Sequence, residues 1–510
     1  MSRKLRIQLI RPPLIRPDHH FTGLDTFPPL HLAYLNAALR QKGHHCEIVD
    51  GQASAKITKL TARHQIIVGM TIDQLVSAVP DDVDVVGVNC MYTYTWFYDR
   101  EIVRAVRARF PKIKIVAGGE HATACPEEIM KECPAIDAVF LGEAEASLTL
   151  AIENFADTGS FGAVPGMLSR NERGEATRTH SSLRMSRIDR VDAIPSPDWT
   201  GVDLDYYLGA KCGITQKEKP SLPIIATRGC PHSCHFCTVP NMWGNRWIPR
   251  SAESVVQEMR DYRDRYGVRH FDFIDLTLVI NRKWVVQFCN ELERANLGVT
   301  WALPIGTRSE ALDQELIDQM AHSGLTHILF SAESASKETI EAINKKLNPD
   351  HLAMCLRSAV GANLIVKLVF INGFPEQHWH DVWANWKYIV FAAWVGIHDV
   401  VSLGFVPYPG TEFYDRLKAE GRLEEGFDYI YLNNDLKGMR SWSPSFSDQR
   451  LRQISAFSMA MFYFFQFLFR PMRFLRTFFR MLTFRAPRTN FELILSNRLR
   501  GVFSFMKAGT

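Results

Sequence analysis

Three cysteines, Cys230, Cys234 and Cys237, lie in the segment RGCPHSCHFCTVP with the spacing C-x3-C-x2-C. Thiolates bind zinc and iron–sulfur clusters, and a closed structural site of either kind takes four protein ligands. His232 or His235 would complete a zinc site, but zinc motifs usually contain two separated ligand pairs, and the sequence has no second pair. The spacing therefore favours an iron–sulfur cluster held by three thiolates, which leaves one iron open for a substrate or cofactor.

The composition describes a folded protein from a reducing compartment. The chain has 510 residues, of which 46% are hydrophobic and 22% charged, and these values predict several domains and exclude a disordered chain. The other cysteines are isolated from one another, so we expect no disulfide framework. The N-terminal sequence MSRKLRIQLIRPP has too short an apolar run for a signal peptide. We therefore expect a cytoplasmic location.

The cysteine segment follows the first of six short apolar runs that predict β-strands separated by helices. The runs are LPIIATRGC, HFDFIDLT, VTWALPIGTR, HILFSAES, LIVKLVFINGFP and VVSLGFVPYPG. Six β/α units over residues 221–425 predict a parallel sheet of the partial-barrel type, a (β/α)6 barrel. The loops at the C-terminal ends of such strands carry the active site, and the three cysteines lie on the first of these loops.

Residues 1–155 show the same alternation of apolar runs and helical patterns. The runs LRIQLI, HCEIVDG, VDVVGVNC, IKIVAGG and DAVFLGE predict a doubly wound, Rossmann-like parallel sheet, whose ligand crevice lies at the C-terminal ends of the strands. The polar stretch 156–220 predicts a linker with a small hairpin. We expect residues 426–510 to form a helical, basic and aromatic C-terminal region. The fold class predicted for the chain is thus α/β.

The cysteine spacing, with Phe236 before the third cysteine and a six-unit barrel around it, resembles the radical S-adenosylmethionine superfamily. The resemblance covers residues 222–420. It implies a [4Fe-4S] cluster whose open iron is chelated by the amino and carboxylate groups of S-adenosylmethionine. It also implies an external one-electron reductant, of the flavodoxin or ferredoxin type, and cleavage of the cofactor to methionine and a 5′-deoxyadenosyl radical.

The same resemblance implies further contacts with S-adenosylmethionine. Glu333, in FSAES, matches an acidic or polar residue near the ribose and methionine portion; the alternative, a helix cap, suits Ser334 or Ser336 better. Arg308 is a candidate partner for the cofactor carboxylate or, alternatively, a surface cation. Gly373 resembles the glycine that lets the backbone approach adenine. The other candidate contacts are Phe236, Asp275 and Thr277. The family's GGE-type motif is not legible near the second strand, where IDLTLV stands.

A doubly wound domain ahead of such a barrel resembles the cobalamin-binding radical S-adenosylmethionine class. The motifs GGEHAT (118–123), GEAEASL (142–148) and PYPGTEFY (407–414) carry this resemblance. It implies cobalamin at the strand ends, although a tight turn would also explain the two glycines of GGEHAT. The candidate cobalamin contacts are Asn89, Met91, Tyr92, Gly118, Gly119, Glu120, His121, Gly142 and Glu143. His20, in a D-x-H-x-x-G match, is a candidate cobalt ligand or a loop histidine.

Together these cofactors imply a radical C-methyltransferase acting on an unactivated carbon of a hydrophobic biosynthetic intermediate. The adenosyl radical would remove a hydrogen atom, and cobalamin would supply a methyl group that a second S-adenosylmethionine replaces. The first alternative is a cyclase or rearrangement enzyme like the anaerobic cyclase of magnesium-protoporphyrin monomethyl ester. The second is a cobalamin-binding sensor with a structural cluster, which would need a fourth protein thiolate.

The last sixty residues differ from the rest in charge and in aromatic content. Residues 451–510 hold thirteen phenylalanines and ten arginines and lysines against one acidic residue, Glu492. The apolar run 454–469 is too short for a confident membrane span. Beyond it, arginines share one helical arc and phenylalanines lie opposite, which predicts either an interfacial helix in peripheral membrane contact or a helical domain packed on the barrel. Nothing in the chain resembles a nucleic-acid module, so we expect no nucleic-acid partner. The residues of this pattern are Arg470, Arg473, Arg476 and Arg480, with Phe474 and Phe478 opposite.

Overall fold

The computed structural model describes most of the chain as alternating strands and helices. The described residues are 3–17, 26–53, 57–60, 65–171, 173–178, 187–209, 214–215, 220–424, 426–427, 429, 438–482, 489 and 491–492. Among them, no helix is both long and apolar enough to cross a membrane.

The first part of the chain forms a seven-stranded sheet with the strand order β10-β9-β8-β7-β6-β1-β3. Strands β3, β1, β6, β7 and β8 are parallel, and β9 and β10 add an antiparallel hairpin to one edge. The elements are β1 (Arg6–Arg11), β2 (Leu14–Pro17), α1 (Leu30–Gln41), β3 (His45–Asp50), β4 (Ile57–Leu60), β5 (Gln65–Val68), α2 (Ile72–Ser77), β6 (Val85–Asn89), α3 (Trp96–Arg109), β7 (Lys114–Gly118), α4 (Glu120–Ala124), α5 (Pro126–Glu132), β8 (Ala138–Phe140), α6 (Ala144–Thr158), β9 (Met167–Arg170) and β10 (Ala176–Arg178).

The order of the five parallel strands identifies a doubly wound sheet and locates its crevice. In chain order these strands lie as 2-1-3-4-5, so the direction of winding reverses between β1 and β6. Ligands of doubly wound sheets bind outside the C-terminal strand ends at such a reversal. Strand β6 ends there at Asn89. The hairpin of β9 and β10 lies within 156–220, so residues 167–178 of the predicted linker belong to this sheet.

The second part of the chain forms a six-stranded parallel sheet, β11-β14-β15-β16-β17-β18, in chain order. These are the six apolar runs of the sequence, and the predicted fold class is confirmed. The elements are α7 (Leu204–Gly209), β11 (Ser221–Ile224), β12 (Thr227–Arg228), α8 (Val239–Trp243), β13 (Ile248–Pro249), α9 (Ala252–Tyr266), β14 (His270–Phe273), α10 (Arg282–Ala295), β15 (Thr300–Thr307), α11 (Gln314–His322), β16 (Leu325–Glu333), α12 (Lys337–Ala342), α13 (Pro349–Gly361), β17 (Ile365–Asn372), α14 (Trp379–Val395), β18 (Asp399–Gly404), α15 (Glu412–Ala419), α16 (Asp448–Phe469) and α17 (Pro471–Leu482).

Helix ends in the barrel follow from local side-chain chemistry. Helix α9 begins where the Ser251 hydroxyl accepts a hydrogen bond from the Ser254 amide, and it ends at Gly267, whose φ of 68° suits a residue without a side chain. Helix α10 begins after Asn281, whose side chain accepts hydrogen bonds from two backbone amides of the first turn. Such caps fix the length of each β/α unit and therefore the position of the next strand end.

One hydrophobic core runs through both parts of the chain. It contains buried residues of the first sheet, such as Leu5 and Ile7, together with the barrel strands and helices. Trp199, in the stretch between the two sheets, lies with its ring 6.3 Å from that of Tyr262 on α9. A second core lies on the other face of the first sheet. Because apolar contacts continue across the junction, the two sheets are held in a fixed relation.

Candidate functional site

The three cysteines lie on the loop between β12 and α8, at the C-terminal end of the first barrel strand. All three are partly exposed, whereas the other described cysteines are buried. These buried cysteines are Cys46, Cys90, Cys125, Cys133, Cys289 and Cys355. Among the described residues, this loop is therefore where thiols are exposed enough to bind a ligand.

The spacing of the three sulfurs argues against a single metal ion. Among the described residues, one group of three potential ligands brings its atoms within 4.8 Å of one another, and that group is Glu338, His380 and Asp381. The cysteine sulfurs therefore lie farther apart than one zinc ion requires, since zinc–sulfur bonds are about 2.3 Å long. His235, one of the two histidines considered for a zinc site, has both ring nitrogens engaged, Nδ1 by the carbonyl of Ala342 and Nε2 by Glu412.

Burial keeps the Cys230 and Cys237 thiols protonated when no metal is bound. It raises the pKa of Cys230 above its ordinary value and the pKa of Cys237 to about 12. Thiolates are the metal-binding form, so cluster binding must release these protons. The donor set, three separated thiols, fits an iron–sulfur cluster with one iron left without a protein thiolate.

Arg308 at the end of β15 lies beside the cysteine loop. It is buried, and its Nη1 lies 3.9 Å from the sulfur of Cys234. Its Nη2 donates to Glu310 at 2.5 Å and to the carbonyl of Lys346 at 3.1 Å. The alternative of a surface cation is therefore wrong, because the guanidinium is fixed by these bonds on the cluster side of the barrel.

Glu333 ends β16 in a strained and buried conformation. Its φ is 60°, in the left-handed region that residues with side chains rarely adopt, and a register shift precedes it in β16. Its carboxylate accepts from the Nζ of buried Lys345 at 2.8 Å. Ser336, and not Glu333, caps α12 by accepting from the Thr339 amide. The helix-cap alternative for Glu333 is thus excluded, and strain of this kind is common at functional sites.

Asp275 and Thr277 follow β14 and are both buried, but their surroundings differ. The Asp275 carboxylate accepts from the amides of Ala226 and Thr227 and from the Thr227 hydroxyl, so it holds the chain that leads to the cysteines. Burial raises the pKa of Asp275 to about 6. The Thr277 hydroxyl has no partner among the described residues. Asp275 therefore acts on the loop, and Thr277 has a hydroxyl available to a ligand.

Phe236 packs against a hydrophobic cluster that contains Phe374, and Gly373 directly precedes Phe374 in the chain. The ring of Phe236 is 5.7 Å from that of Phe374. Gly373 has a φ of 90°, and a Cβ there would lie 2.9 Å from Leu451 on α16. Packing against α16 and the turn conformation therefore explain this glycine without a ligand, and its contact with adenine stays a prediction.

The strand ends of the first sheet bring several candidate cobalamin contacts to one edge. Asn89 of β6 pairs in register with Gly118 of β7. Gly119 has a φ of 125°, and a Cβ there would lie 2.5 Å from the Cys90 carbonyl oxygen. Only glycine fits this close approach between two loops. Next to them Met91 is half-buried and Tyr92 is 45% exposed at the same edge.

Glu120 and His121 begin α4, directly after the two glycines. Glu120 accepts a hydrogen bond from the hydroxyl of Thr238, the residue after Cys237, so the GGEHAT motif contacts the cysteine loop. Burial raises the pKa of Glu120 and lowers that of His121 to about 4. Neither ring nitrogen of the buried His121 has a hydrogen-bond partner among the described residues. Unpartnered buried nitrogens next to a glycine-lined edge fit a site that a polar ligand completes.

Gly142 and Glu143 lead into α6. Gly142 has a φ of 74°, and its amide donates to Thr123 of α4 at 3.1 Å. Glu143 is not free to contact cobalamin as predicted, because Arg228 occupies one carboxylate oxygen at 2.9 Å and the Ile188 amide and Arg187 occupy the other. This carboxylate instead joins the first sheet to the strand that leads to Cys230.

Four residues of the site were not predicted from the sequence. Thr238 donates to Glu120, Lys345 donates to Glu333, and Arg228 pairs with Glu143. His31 of α1 lies with Nε2 3.1 Å from Asn89 Oδ1, and burial lowers its pKa to about 4. Arg228 and Thr238 carry a sequence signal, since Arg228 stands two residues before Cys230 and Thr238 directly follows Cys237. His20, the candidate cobalt ligand, lies outside the described residues.

Comparison with protein families assigns both halves of the site. Residues 23–152 match the B12 binding domain, and residues 224–387 match the Radical SAM superfamily. The first range contains GGEHAT and the second contains the three cysteines. The predicted cofactor set of cobalamin, a [4Fe-4S] cluster and S-adenosylmethionine is confirmed.

Three curated proteins are similar to this chain over most of its length. An uncharacterized methyltransferase of Pyrococcus horikoshii is 28% identical and covers 82% of this chain and 84% of that protein. The cytidylyl-2-hydroxyethylphosphonate methyltransferase of Streptomyces wedmorensis is 28% identical over 68% of this chain and 69% of that protein. The anaerobic magnesium-protoporphyrin IX monomethyl ester cyclase of Rubrivivax gelatinosus is 25% identical over 82% and 71%.

A solved structure has the same fold. It is the radical S-adenosylmethionine methyltransferase TsrM of Kitasatospora setae, determined with cobalamin and a [4Fe-4S] cluster bound. The TM-score is 0.63 at 17% identity, covering 82% of this chain and 75% of that protein. The fold of this chain therefore agrees with that of TsrM in each of the two domains and in their order along the chain.

Proposed function

Because the chain belongs to the radical S-adenosylmethionine enzymes that carry a cobalamin-binding domain, we propose that it methylates an unactivated carbon of a hydrophobic biosynthetic intermediate. When bound, the cofactors would supply two groups. One is a 5′-deoxyadenosyl radical, which removes a hydrogen atom from the substrate, and the other is a methyl group, which cobalamin carries. The observation that carries the proposal is the hydrogen bond from Thr238 to Glu120, which joins the cysteine loop to GGEHAT. A substrate between the two motifs would meet both cofactors.

On the barrel side, the proposal gives the side chains binding and orienting roles. Cys230, Cys234 and Cys237 would hold the cluster as thiolates. Arg308, fixed beside Cys234, would balance the negative charge of the cluster or cofactor carboxylate. Glu333, held in its strained conformation by Lys345, would accept a hydrogen bond from the ammonium or ribose of S-adenosylmethionine.

On the side of the first sheet, the proposal gives backbone and side chains a role in holding cobalamin. Gly118 and Gly119 would let the cofactor approach the ends of β6 and β7. His121 would donate from one of its unpartnered nitrogens, and it stays neutral at physiological pH because its pKa is lowered to about 4. Tyr92, exposed at the strand reversal, would cover the bound group.

The hydrophobic character of the substrate is supported by one relative and by the surface of this chain. The cyclase of Rubrivivax gelatinosus is named for a porphyrin ester, whereas the Streptomyces wedmorensis enzyme is named for a polar nucleotide derivative. The exposed aromatic residues of α14, α16 and α17 favour a hydrophobic substrate, like the porphyrin ester, for this chain. The proposal has three further parts. The electron donor is an external flavodoxin or ferredoxin, the location is cytoplasmic, and the C-terminal region makes peripheral membrane contact.

Methyl transfer is favoured over cyclisation by two methyltransferases among these relatives, but the cofactor motifs suit both reactions. The two are separated by their products from S-adenosylmethionine. A radical methyltransferase forms 5′-deoxyadenosine in abstracting hydrogen and S-adenosylhomocysteine in replacing the methyl group. A radical cyclase forms 5′-deoxyadenosine alone.

The test uses the full chain, reconstituted with iron, sulfide and cobalamin, reduced with titanium(III) citrate and given deuteromethyl S-adenosylmethionine. Chromatography with mass detection should find both 5′-deoxyadenosine and S-adenosylhomocysteine. Cys234→Ala should lose 5′-deoxyadenosine, and the buried Cys289→Ala should keep it. Formation of 5′-deoxyadenosine alone would favour the cyclase, and formation of neither product with an intact cluster would favour the sensor.

A further inference from the structure

Helices α14, α16 and α17 expose a large apolar surface on the outside of the molecule. We call it the aromatic face and define it by Trp383, Trp394, Phe464, Leu468, Phe478 and Phe479. These side chains are between 46 and 63% exposed. Single exposed apolar residues are ordinary on soluble proteins, but contiguous ones mark a binding surface.

The face is continuous because α16 packs against α14 and also against α17. On α14 and α16 the Trp386 ring lies 4.9 Å from that of Phe457, and its Nε1 donates to Ser458 at 2.9 Å. A groove of about 700 Å³ runs along this pair of helices and is lined by Trp383 and Phe457 among other apolar residues. Phe467 of α16 then contacts Phe474 of α17 at 5.2 Å.

Helix α17 turns its polar side towards the protein and its apolar side outwards. Thr477 is buried, and Arg473 donates to the carbonyls of Gly396 and Ile397 at 3.0 and 2.8 Å. Arg470, just before α17, donates to the carbonyl of Val395 at 2.8 Å. These arginines satisfy backbone carbonyls at the end of α14. A water-facing amphipathic helix has the reverse orientation, so α17 is built to meet an apolar medium.

The charges around the aromatic face are positive. Helices α14, α16 and α17 together contain two acidic residues, and one of them, Asp381, is buried. Exposed cations stand beside the face at Lys387, Arg450 and Arg476. Tryptophans with flanking cations are typical of membrane–water interfaces, and the positive charge is complementary to anionic headgroups.

We propose that the aromatic face of α14, α16 and α17 binds the surface of an anionic lipid bilayer. The face extends well beyond the C-terminal tail, because α14 is a helix of the barrel itself. Trp383 and Phe464 would lie at the level of the acyl-chain boundary, with Arg476 among the headgroups. The inference deepens the peripheral membrane contact of the proposed function, but it concerns an outer surface and so holds whether or not the chain transfers methyl groups.

The test is flotation of the full chain with vesicles of phosphatidylcholine alone and of phosphatidylcholine mixed with phosphatidylglycerol. We expect flotation with the mixed vesicles, and quenching of tryptophan emission when the mixed vesicles contain brominated acyl chains. The double variant Phe464→Ser, Leu468→Ser should lower the vesicle partition coefficient by about tenfold or more. The control Leu150→Ser changes another exposed leucine, which lies on α6 of the first sheet, and this variant should bind as the parent does.

Two results would overturn the proposal. The first is a parent protein that floats with neither vesicle and shows no quenching by brominated chains. The second is a parent protein that binds no vesicles and sediments as a dimer, while the Phe464→Ser, Leu468→Ser variant sediments as a monomer. The aromatic face would then be a contact between two copies of the chain. A change in 5′-deoxyadenosine formation without a change in flotation would bear on the proposed function and not on this surface.

Discussion

The ion pair of Arg228 should contribute more to stability than any exposed pair of the cysteine loop. Its side chain is 4% exposed, and its two Nη atoms lie 2.9 Å from Glu143 and 2.7 Å from Glu145 on α6. The guanidinium also lies 5.1 Å from the centre of the Tyr34 ring. The perturbation is Arg228→Met, which keeps most of the side-chain volume and removes the charge.

The magnitude follows from what the substitution leaves behind. Removing one partner of a buried pair leaves an uncompensated buried charge and costs about 3–5 kcal/mol. Glu143 retains Arg187 at 3.3 Å, so we expect the lower half of that range. The matched control is Arg246→Met, in the segment after α8, where the pair with Asp189 is exposed on both sides and should contribute about 0–1 kcal/mol.

The assay is equilibrium unfolding in urea, followed by circular dichroism and by the absorbance of bound cobalamin. Because Arg228 joins the first sheet to the barrel, we expect Arg228→Met to lower the first unfolding midpoint well below that of Arg246→Met. Cobalamin should still bind to the folded variant, since Arg228 is not among its proposed contacts. Equal midpoints for the two variants would refute the reasoning, because the pair would then not hold the sheets together.

Three further predictions concern single residues of the site. Burial raises the pKa of Asp275 to about 6, above the value near 3.9 of an unfolded chain, so the folded state binds this proton more tightly. The free energy of unfolding therefore gains up to about 3 kcal/mol as the pH falls from about 7 to about 3. Asp275→Asn should lose that gain in urea titrations at several pH values, and an unchanged pH profile would contradict the assigned environment. Gly119→Ala should abolish cobalamin retention after gel filtration because its Cβ would lie 2.5 Å from the Cys90 oxygen, while Gly159→Ala, also at positive φ but in open space, should retain the cofactor. His121→Phe should weaken cobalamin binding by about tenfold through one lost hydrogen bond, measured by spectrophotometric titration, and full affinity would show that the imidazole only fills space.

Local patterns in the sequence were enough to predict the two sheets and the cluster loop. Parallel strands covered by helices are continuous apolar runs, and all eleven predicted runs correspond to parallel strands of the structure. The cysteines could be assigned because their ligand chemistry depends on spacing within one loop. The sequence predicts a small hairpin within 156–220, but not that β9 pairs with β8 and so adds the hairpin to the first sheet, because these short strands carry no long apolar run.

The partners of the site residues could not be predicted, because they are distant in the sequence. Glu143 looked like a cofactor contact from its motif, and its pairing with Arg228 depends on how α6 meets the barrel. The sequence alone does not decide whether Arg308 is a cofactor contact or a surface cation, because the decision depends on its burial in the folded chain. In residues 470–480, the helical period correctly predicts that arginines and phenylalanines lie on opposite sides. It does not predict that Arg470 and Arg473 point inwards, because they do so by donating to backbone carbonyls at the end of α14.

The central claim is that the cysteine loop and the cobalamin-binding edge form one site, joined by Thr238 and Glu120. Electron paramagnetic resonance of the reconstituted full chain tests it directly, at a partial reduction where cob(II)alamin and the reduced cluster are both present. We predict that the cob(II)alamin signal is broadened or relaxes faster when the cluster is reduced, and that Cys234→Ala abolishes the change. A cob(II)alamin signal that does not respond to the reduced cluster would contradict a shared site.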